Sequence, residues 1–151
     1  LRSAHGEQLV LDENAFVERI LPQAIIRTLS EAEMNAYRAP YRERQARLPT
    51  LIWPRQIPIE GEPPDVAAIV EAYSNWLAES SLPKLFIAGD PGAIITATSA
   101  ARAFCRRWPN QREVTVKGRH FLQEDSPNEI GRALRDFVTA VRRQPHDRIN
   151  A

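Results

Sequence analysis

Between Pro83 and Gly89 lies a run, Lys84-Leu85-Phe86-Ile87-Ala88, that is too short for a helix and carries four consecutive apolar residues. A strand of that kind is covered on both faces, the condition of a parallel sheet flanked by helices. The neighbouring segments agree. Ahead of it Val66, Ile69, Val70, Tyr73, Trp76 and Leu77 recur at helical spacing, with Asp65 as the expected cap. Behind it come a helical segment through Ala101, Phe104, Cys105 and Trp108 and a second strand at Glu113-Val114-Thr115-Val116. Ser126-Pro127-Asn128-Glu129 then joins an N-cap serine, an N1 proline and an N3 glutamate in one capping box. The helix it opens carries Ile130, Leu134, Phe137, Val138 and Val141 on one face. Helix, strand, helix, strand, helix is the order of an α/β fold.

The first part of the chain has a different rhythm. Seven of the 12 prolines, Pro40, Pro49, Pro54, Pro58, Pro63, Pro64 and Pro83, fall between residues 40 and 83. Each withdraws a backbone donor and pushes its predecessor toward extended geometry, so residues 40 to 64 are expected to be mostly irregular. Upstream, Asn14 is placed to cap a short helix that turns Phe16, Val17, Ile20 and Leu21 inward and stops at Pro22. Pro22 suits the first turn of another helix through Arg27, and Ser30 with Glu33 reads as a capping box for a third helix that stops before Pro40.

Charge and cysteine content narrow the function classes. Twenty basic and 19 acidic residues leave a net charge of +1, so there is no global field to hold nucleic acid or an anionic membrane. No apolar run approaches the roughly 20 residues of a membrane span. The single Cys105 makes neither an intrachain disulfide nor a C-x-x-C site, and His5, His120 and His146 lie too far apart for a local ligand motif. Neither a metal nor a cofactor is expected, and partners are expected to be small molecules, not nucleic acid or membrane. The expected location is cytoplasmic, although one cysteine fits the periplasm as well. A chain that opens on Leu1 instead of Met is expected to be a processed, truncated or partial product.

In open α/β sheets, ligands bind beyond the carboxyl ends of the strands. That directs attention to Gly89-Asp90-Pro91-Gly92-Ala93-Ile94 and to Lys117-Gly118-Arg119-His120-Phe121-Leu122-Gln123-Glu124-Asp125. His120 stands just past a strand, and histidine is the residue type most often used as a general base; a hydrogen-bonded or surface histidine is the competing reading. Asp90 is placed to orient it, although an acid beside Pro-Gly also serves as an ordinary turn residue. No G-x-S-x-G or G-x-D-x-G elbow, P-loop, GxGxxG or H-E-x-x-H occurs, so these residues nominate no nucleophile. The arginines from Arg38 to Arg55 alternate with prolines and glutamates, the pattern of a solvated loop.

Several segments resemble one known family. Asn14-Ala15-Phe16-Val17-Glu18-Arg19-Ile20-Leu21-Pro22, Leu29-Ser30-Glu31-Ala32-Glu33-Met34 with Tyr37-Arg38-Ala39-Pro40, and Pro49-Thr50-Leu51-Ile52-Trp53-Pro54-Arg55-Gln56-Ile57-Pro58-Ile59 are similar to the cap and cap-to-core segments of haloalkane dehalogenases. Pro83-Lys84-Leu85-Phe86-Ile87, Trp108-Pro109-Asn110-Gln111 and Gly118-Arg119-His120-Phe121-Leu122-Gln123-Glu124-Asp125-Ser126-Pro127 resemble that family's last core strands and its histidine loop. The likeness runs in order from about residue 1 to residue 143.

The resemblance implies the C-terminal part of an α/β-hydrolase fold with a helical cap segment. Its expected boundaries are 1–57 for the cap segment, 58–145 for the C-terminal part of the core and 146–151 for a tail. In the family an aspartate displaces halide to form an alkyl ester, and a histidine supported by a carboxylate activates the water that hydrolyses it. His120 matches that base. The common position for the supporting acid falls on Gly92. In the subfamily resembled here the acid is a glutamate after an earlier strand, which leaves Asp90 as a turn residue. Nucleophile, halide-binding residues and that glutamate belong to segments preceding Leu1, so the chain alone is expected to be inactive. The resemblance also implies tunnel and pocket positions at Phe16, Ile20, Gln23, Ala24, Trp53, Pro54, Ile57, Ala93, Ile94 and Phe121, an apolar lining suited to a haloalkane. Ordinary core packing explains Phe16 and Ile20 equally well, and Gln23 with Ala24 implies an altered or wider tunnel mouth. Implied partners are the haloalkane, water, the halide product and an N-terminal half of the same enzyme. An epoxide hydrolase or esterase on the same fold, or a non-catalytic fragment complementing a separate N-terminal half, are the alternatives.

Overall fold

The computed structural model describes residues 1–3, 5–96 and 98–143, so the tail expected at 146–151 lies outside the described residues. Two compact units are present, one formed by Leu1–Gln23 with Thr28–Tyr73, the other by Ala24–Arg27 with the chain from Ser74 onward.

The first unit is helical. Two single-turn π-helices, Gln8–Asp12 and Phe16–Ile20, are separated by Asn14, whose φ of 49° is tolerated because a short polar side chain accepts the left-handed region. The second runs directly into α1, Leu21–Gln23. The helix expected from Pro22 through Arg27 does not form, because the backbone N–H groups of Ile26 and Arg27 donate to the Asp125 carboxylate instead of to a preceding turn. By contrast, α2 at Glu31–Arg38 has the expected capping box: Ser30 accepts from the Glu33 N–H, and the Glu33 carboxylate accepts from the Ser30 N–H at 2.7 Å.

The proline-rich stretch is more ordered than its composition predicts. Two 3₁₀ turns, Ala39–Tyr41 and Arg44–Arg47, lead into α3, Leu48–Arg55. Pro40 and Pro49 sit where an early turn needs no N–H donor, so neither opposes helix formation. The Arg47 guanidinium adds tertiary support, donating to the carbonyls of Tyr41, Arg42, Leu11 and Asp12. Val10, Leu11 and Leu51 form the buried cluster, with Leu1 and Leu48 packed against it.

Helix α4, Pro64–Glu79, begins at Pro64, which places Asp65 inside the first turn instead of at the cap. Its negative charge there favours the helix dipole. The apolar stripe exists but is uncovered: Ile69, Tyr73 and Trp76 are 63%, 50% and 55% exposed, and no residue of α4 is buried.

The second unit contains the sheet. Strands β1 (Lys84–Pro91) and β2 (Gln111–Gly118) pair in parallel, from Lys84 opposite Gln111 to Pro91 opposite Gly118. Helix α5, Ala100–Cys105, lies in the crossover, since parallel strands cannot be joined by a tight hairpin. A four-residue helix α6, Leu122–Asp125, and the long α7, Pro127–Arg143, follow β2. Ala88, Val116 and Ala133 are buried, and Phe137, Ala140 and Val141 of α7 line a small cavity with Pro83, Lys84 and residues 110–112. Leu134 and Val138, expected on the inward face of α7, are exposed. These described residues form an α/β arrangement.

Candidate active site

The carboxyl end of the sheet is closed by two glycines. A Cβ on Gly89 would stand 2.7 Å from the Leu122 Cδ2 atom and 2.8 Å from the Gly118 carbonyl oxygen, and one on Gly118 would also meet Leu122 Cδ2 at 2.7 Å. Gly89 needs glycine because the Gly118 carbonyl is backbone and cannot give way, whereas at Gly118 the obstacle is the movable end of Leu122; the first turn of α6 rests directly on the strand ends. The Gly92 N–H donates to the Gly118 carbonyl at 3.0 Å, which ties the start of the β1 loop to the end of β2.

His120 leaves β2 two residues after Gly118. Its backbone N–H donates to the Ala24 carbonyl at 3.0 Å, and the Phe121 N–H donates to the same oxygen at 3.3 Å. The imidazole is exposed and meets the Phe121 ring edge-on, with centroids 5.0 Å apart. Asp125, at the end of α6, accepts from Ile26 N–H through both oxygens at 2.9 and 3.0 Å and from Arg27 N–H at 3.1 Å. Glu124 is held as well: Arg27 donates to its carbonyl at 2.7 Å and to its carboxylate at 2.6 Å. The histidine loop is thus laced to residues 24–27.

Gly92 adopts φ +71°, and a Cβ there would lie 2.4 Å from the Ile95 carbonyl oxygen. An acidic side chain at this position would be both strained and obstructed. Asp90 lies in β1 opposite Lys117, on an exposed part of the strand.

A partly buried ion cluster joins α5 to β2. Arg102, buried on α5, pairs with Glu113 of β2, its Nε donating at 2.8 Å, and also donates to the Thr115 hydroxyl at 2.8 Å. Arg106 forms a fork on the same carboxylate at 2.6 and 2.9 Å. The hydrogen bond from Arg106, helped by Arg102, outweighs desolvation and holds the Glu113 carboxyl down at about 2.

Of the expected lining positions, the second unit brings Ala24, His120 and Phe121 together around one carbonyl oxygen. Ala93 and Ile94 are exposed in the loop after β1. In the first unit Phe16 and Ile20 are half-buried in one π turn, Gln23 ends α1, and Trp53 and Pro54 lie near the end of α3. Trp53 and Ile57 are exposed large apolar residues. Sequence reasoning missed Asp125, Glu124 and Arg27, whose partners are nearly 100 residues away. It also missed the Arg102–Glu113–Arg106 cluster, although Arg102 and Arg106 share a helix face and Glu113 and Thr115 share a strand face.

No family model matches the chain. It is 58% identical over 142 residues to a haloalkane dehalogenase of Sphingobium indicum, covering 93% of this chain and 47% of that protein. A haloalkane dehalogenase of Mycolicibacterium smegmatis is 50% identical over 143 residues, covering 94% of this chain and 46% of its own. The crystal structure of the haloalkane dehalogenase DbeA from Bradyrhizobium elkani superposes with a TM-score of 0.87 at 44% identity, covering 92% of this chain and 48% of that one. The chain spans about half the length of the curated relatives it matches. Its described residues are similar in sequence and in fold to haloalkane dehalogenases, which are α/β-hydrolases, and match a carboxyl-terminal portion of them.

Proposed function

We propose that this chain is the base-bearing half of a haloalkane dehalogenase, which converts a haloalkane and water to an alcohol and halide. The observation that carries the reading is the placement of His120 immediately beyond β2, on a loop laced to residues 24–27, in a chain 58% identical to such an enzyme. The reaction has two steps. An aspartate oxygen from an amino-terminal half forms a bond to the substrate carbon as the carbon–halogen bond breaks and the halide leaves with the electron pair. His120 then removes a proton from water as the water oxygen adds to the ester carbonyl; as that adduct collapses, the histidinium gives the proton to the departing alkoxide oxygen, the alcohol leaves, and the aspartic acid loses its proton to solvent to restore the carboxylate. An aspartate needs no deprotonation at neutral pH, so the base acts in the second step. In this reading residues 1–57 are the cap segment and 58–145 the C-terminal part of the core, and Phe16, Ile20, Gln23, Ala24, Trp53, Pro54, Ile57, Ala93, Ile94 and Phe121 are tunnel and pocket positions. The amino-terminal half is a partner in this reading, and the uncovered apolar stripe of α4 supports a covering segment there.

The test uses 1-bromobutane. Residues 1–151 alone are expected to release no bromide, whereas an intact enzyme carrying them turns over. In that intact enzyme His120→Ala is expected to release about one bromide per molecule and then stop with the ester in place. Sustained turnover by the His120→Ala enzyme would remove the base assignment, and bromide release by the chain alone that His120→Ala abolishes would overturn the need for a second half.

A further inference from the structure

Residues 24–27 and 119–125 are nearly 100 positions apart, yet each supplies what the other lacks. The N–H groups of Ile26 and Arg27 have no helical carbonyl to reach, and Asp125 accepts them at 2.9 to 3.1 Å. The Arg119 N–H approaches the second oxygen of the same carboxylate at 3.4 Å. In the other direction the Ala24 carbonyl accepts the N–H groups of His120 and Phe121. One carboxylate, whose two oxygens offer about four acceptor directions, therefore ties the residues before and after His120 to the segment that carries Ala24.

The His120 ring is exposed and meets the edge of Phe121, and the backbone beneath it sets where it stands. That backbone is held by Ala24 and, through Arg119, by Asp125. Neither Gly89 nor Gly118 offers a side chain to replace this support.

We propose that Asp125 is a positioning residue that, by fixing the backbone of residues 119–121 against the Ala24–Arg27 segment, sets the ring of His120, the water-activating base. This rests on the reading of His120 as the base. Asp125 touches neither substrate nor reacting atoms; its effect is confined to the step that uses the histidine. A lost register of about an ångström lowers a rate by about a hundredfold when the group is a catalytic base.

The experiment follows both steps of 1-bromobutane turnover by rapid quench in the intact enzyme. Asp125→Ala is expected to leave the first burst of bromide unchanged while slowing ester hydrolysis by about tenfold to a hundredfold. The isosteric Asp125→Asn keeps one carbonyl acceptor and is expected to fall between wild type and Asp125→Ala. It also serves if Asp125→Ala does not fold, since slowed hydrolysis with an intact burst then supports the inference by itself. Ester hydrolysis at the wild-type rate in the folded Asp125 variants, or burst and hydrolysis lost in equal proportion, overturns it. His120→Ala in parallel separates the two ideas. A blocked second step in that variant beside normal hydrolysis in the Asp125 variants removes the positioning role alone, whereas continued turnover removes the base assignment and this inference together.

Discussion

Glu113 shows how a single carboxylate can be surrounded by two arginines without becoming costly. Arg102 approaches from the buried face of α5 and Arg106 from its exposed end, and their forks satisfy both oxygens while Thr115 takes a remaining Arg102 proton. Removing one partner of such a cluster leaves the others unpaired, the more damaging case for a half-buried charge. A glutamate in an unfolded chain titrates near about 4.3, whereas Glu113 is held at about 2. A depressed carboxyl contributes stability that is fully present above the unfolded value and is lost as pH falls toward the folded one. The stability of the chain is therefore expected to drop between about pH 5 and pH 2 partly through this residue. Glu113→Gln should lower Tm at pH 7 and flatten the dependence in that window. A Glu113→Gln chain whose Tm falls with acid as steeply as wild type would contradict the assignment.

At the scale of elements, the strand ends depend on the absence of side chains. At the carboxyl ends of β1 and β2, α6 approaches Gly89 and Gly118 so closely that a Cβ on either would stand 2.7 Å from Leu122 Cδ2. Gly118→Ala would press a methyl against Leu122 Cδ2, at 2.7 Å from an ideal Cβ, and because that side-chain end can move the loss is expected at the low end of overpacking, about 1 kcal/mol. Chemical denaturation is expected to show that loss, and Gly118→Ala with Leu122→Ala together should recover part of it, because the methyl then keeps only ordinary contacts with Leu122 Cα and Asp125 Cβ. If the double variant is no more stable than the sum of two independent losses, the close approach is not what the glycine serves.

The legible elements were those with local signals. The Ser30–Glu33 box, the apolar run of β1 and the amphipathic α7 are written in residues at most a few turns apart. The misread ones answer to distant partners: Pro22–Arg27 gives up its helix to Asp125, and the proline-rich stretch becomes α3 with support from Arg47. The same division holds at the site. His120 is visible from its place after a strand, whereas the lacing by Asp125 and Arg27 is a tertiary contact without a sequence period.

For the molecule as a whole, the balance of buried and exposed apolar groups governs behaviour in solution. Two parallel strands are below the number that usually sustains an independent sheet, and parallel sheets normally carry cover on both faces. Yet α4 leaves Ile69, Tyr73 and Trp76 at least half exposed, and α7 leaves Leu134 and Val138 uncovered. Exposed large apolar groups of that kind favour association. In the proposed reading it belongs against the amino-terminal half; without that partner the residues of a second copy are the nearest substitute. Purified residues 1–151 are expected to associate increasingly with concentration in sedimentation velocity. Replacing Ile69→Ser and Trp76→Ser together removes two large groups from one face of a helix without touching a buried residue, so it should shift the population toward monomer with the helical circular dichroism retained. The same pair should weaken capture of a separately expressed amino-terminal half. Association that is unchanged by the double substitution would assign the contact to another surface, with the α7 residues Leu134 and Val138 next to be exchanged.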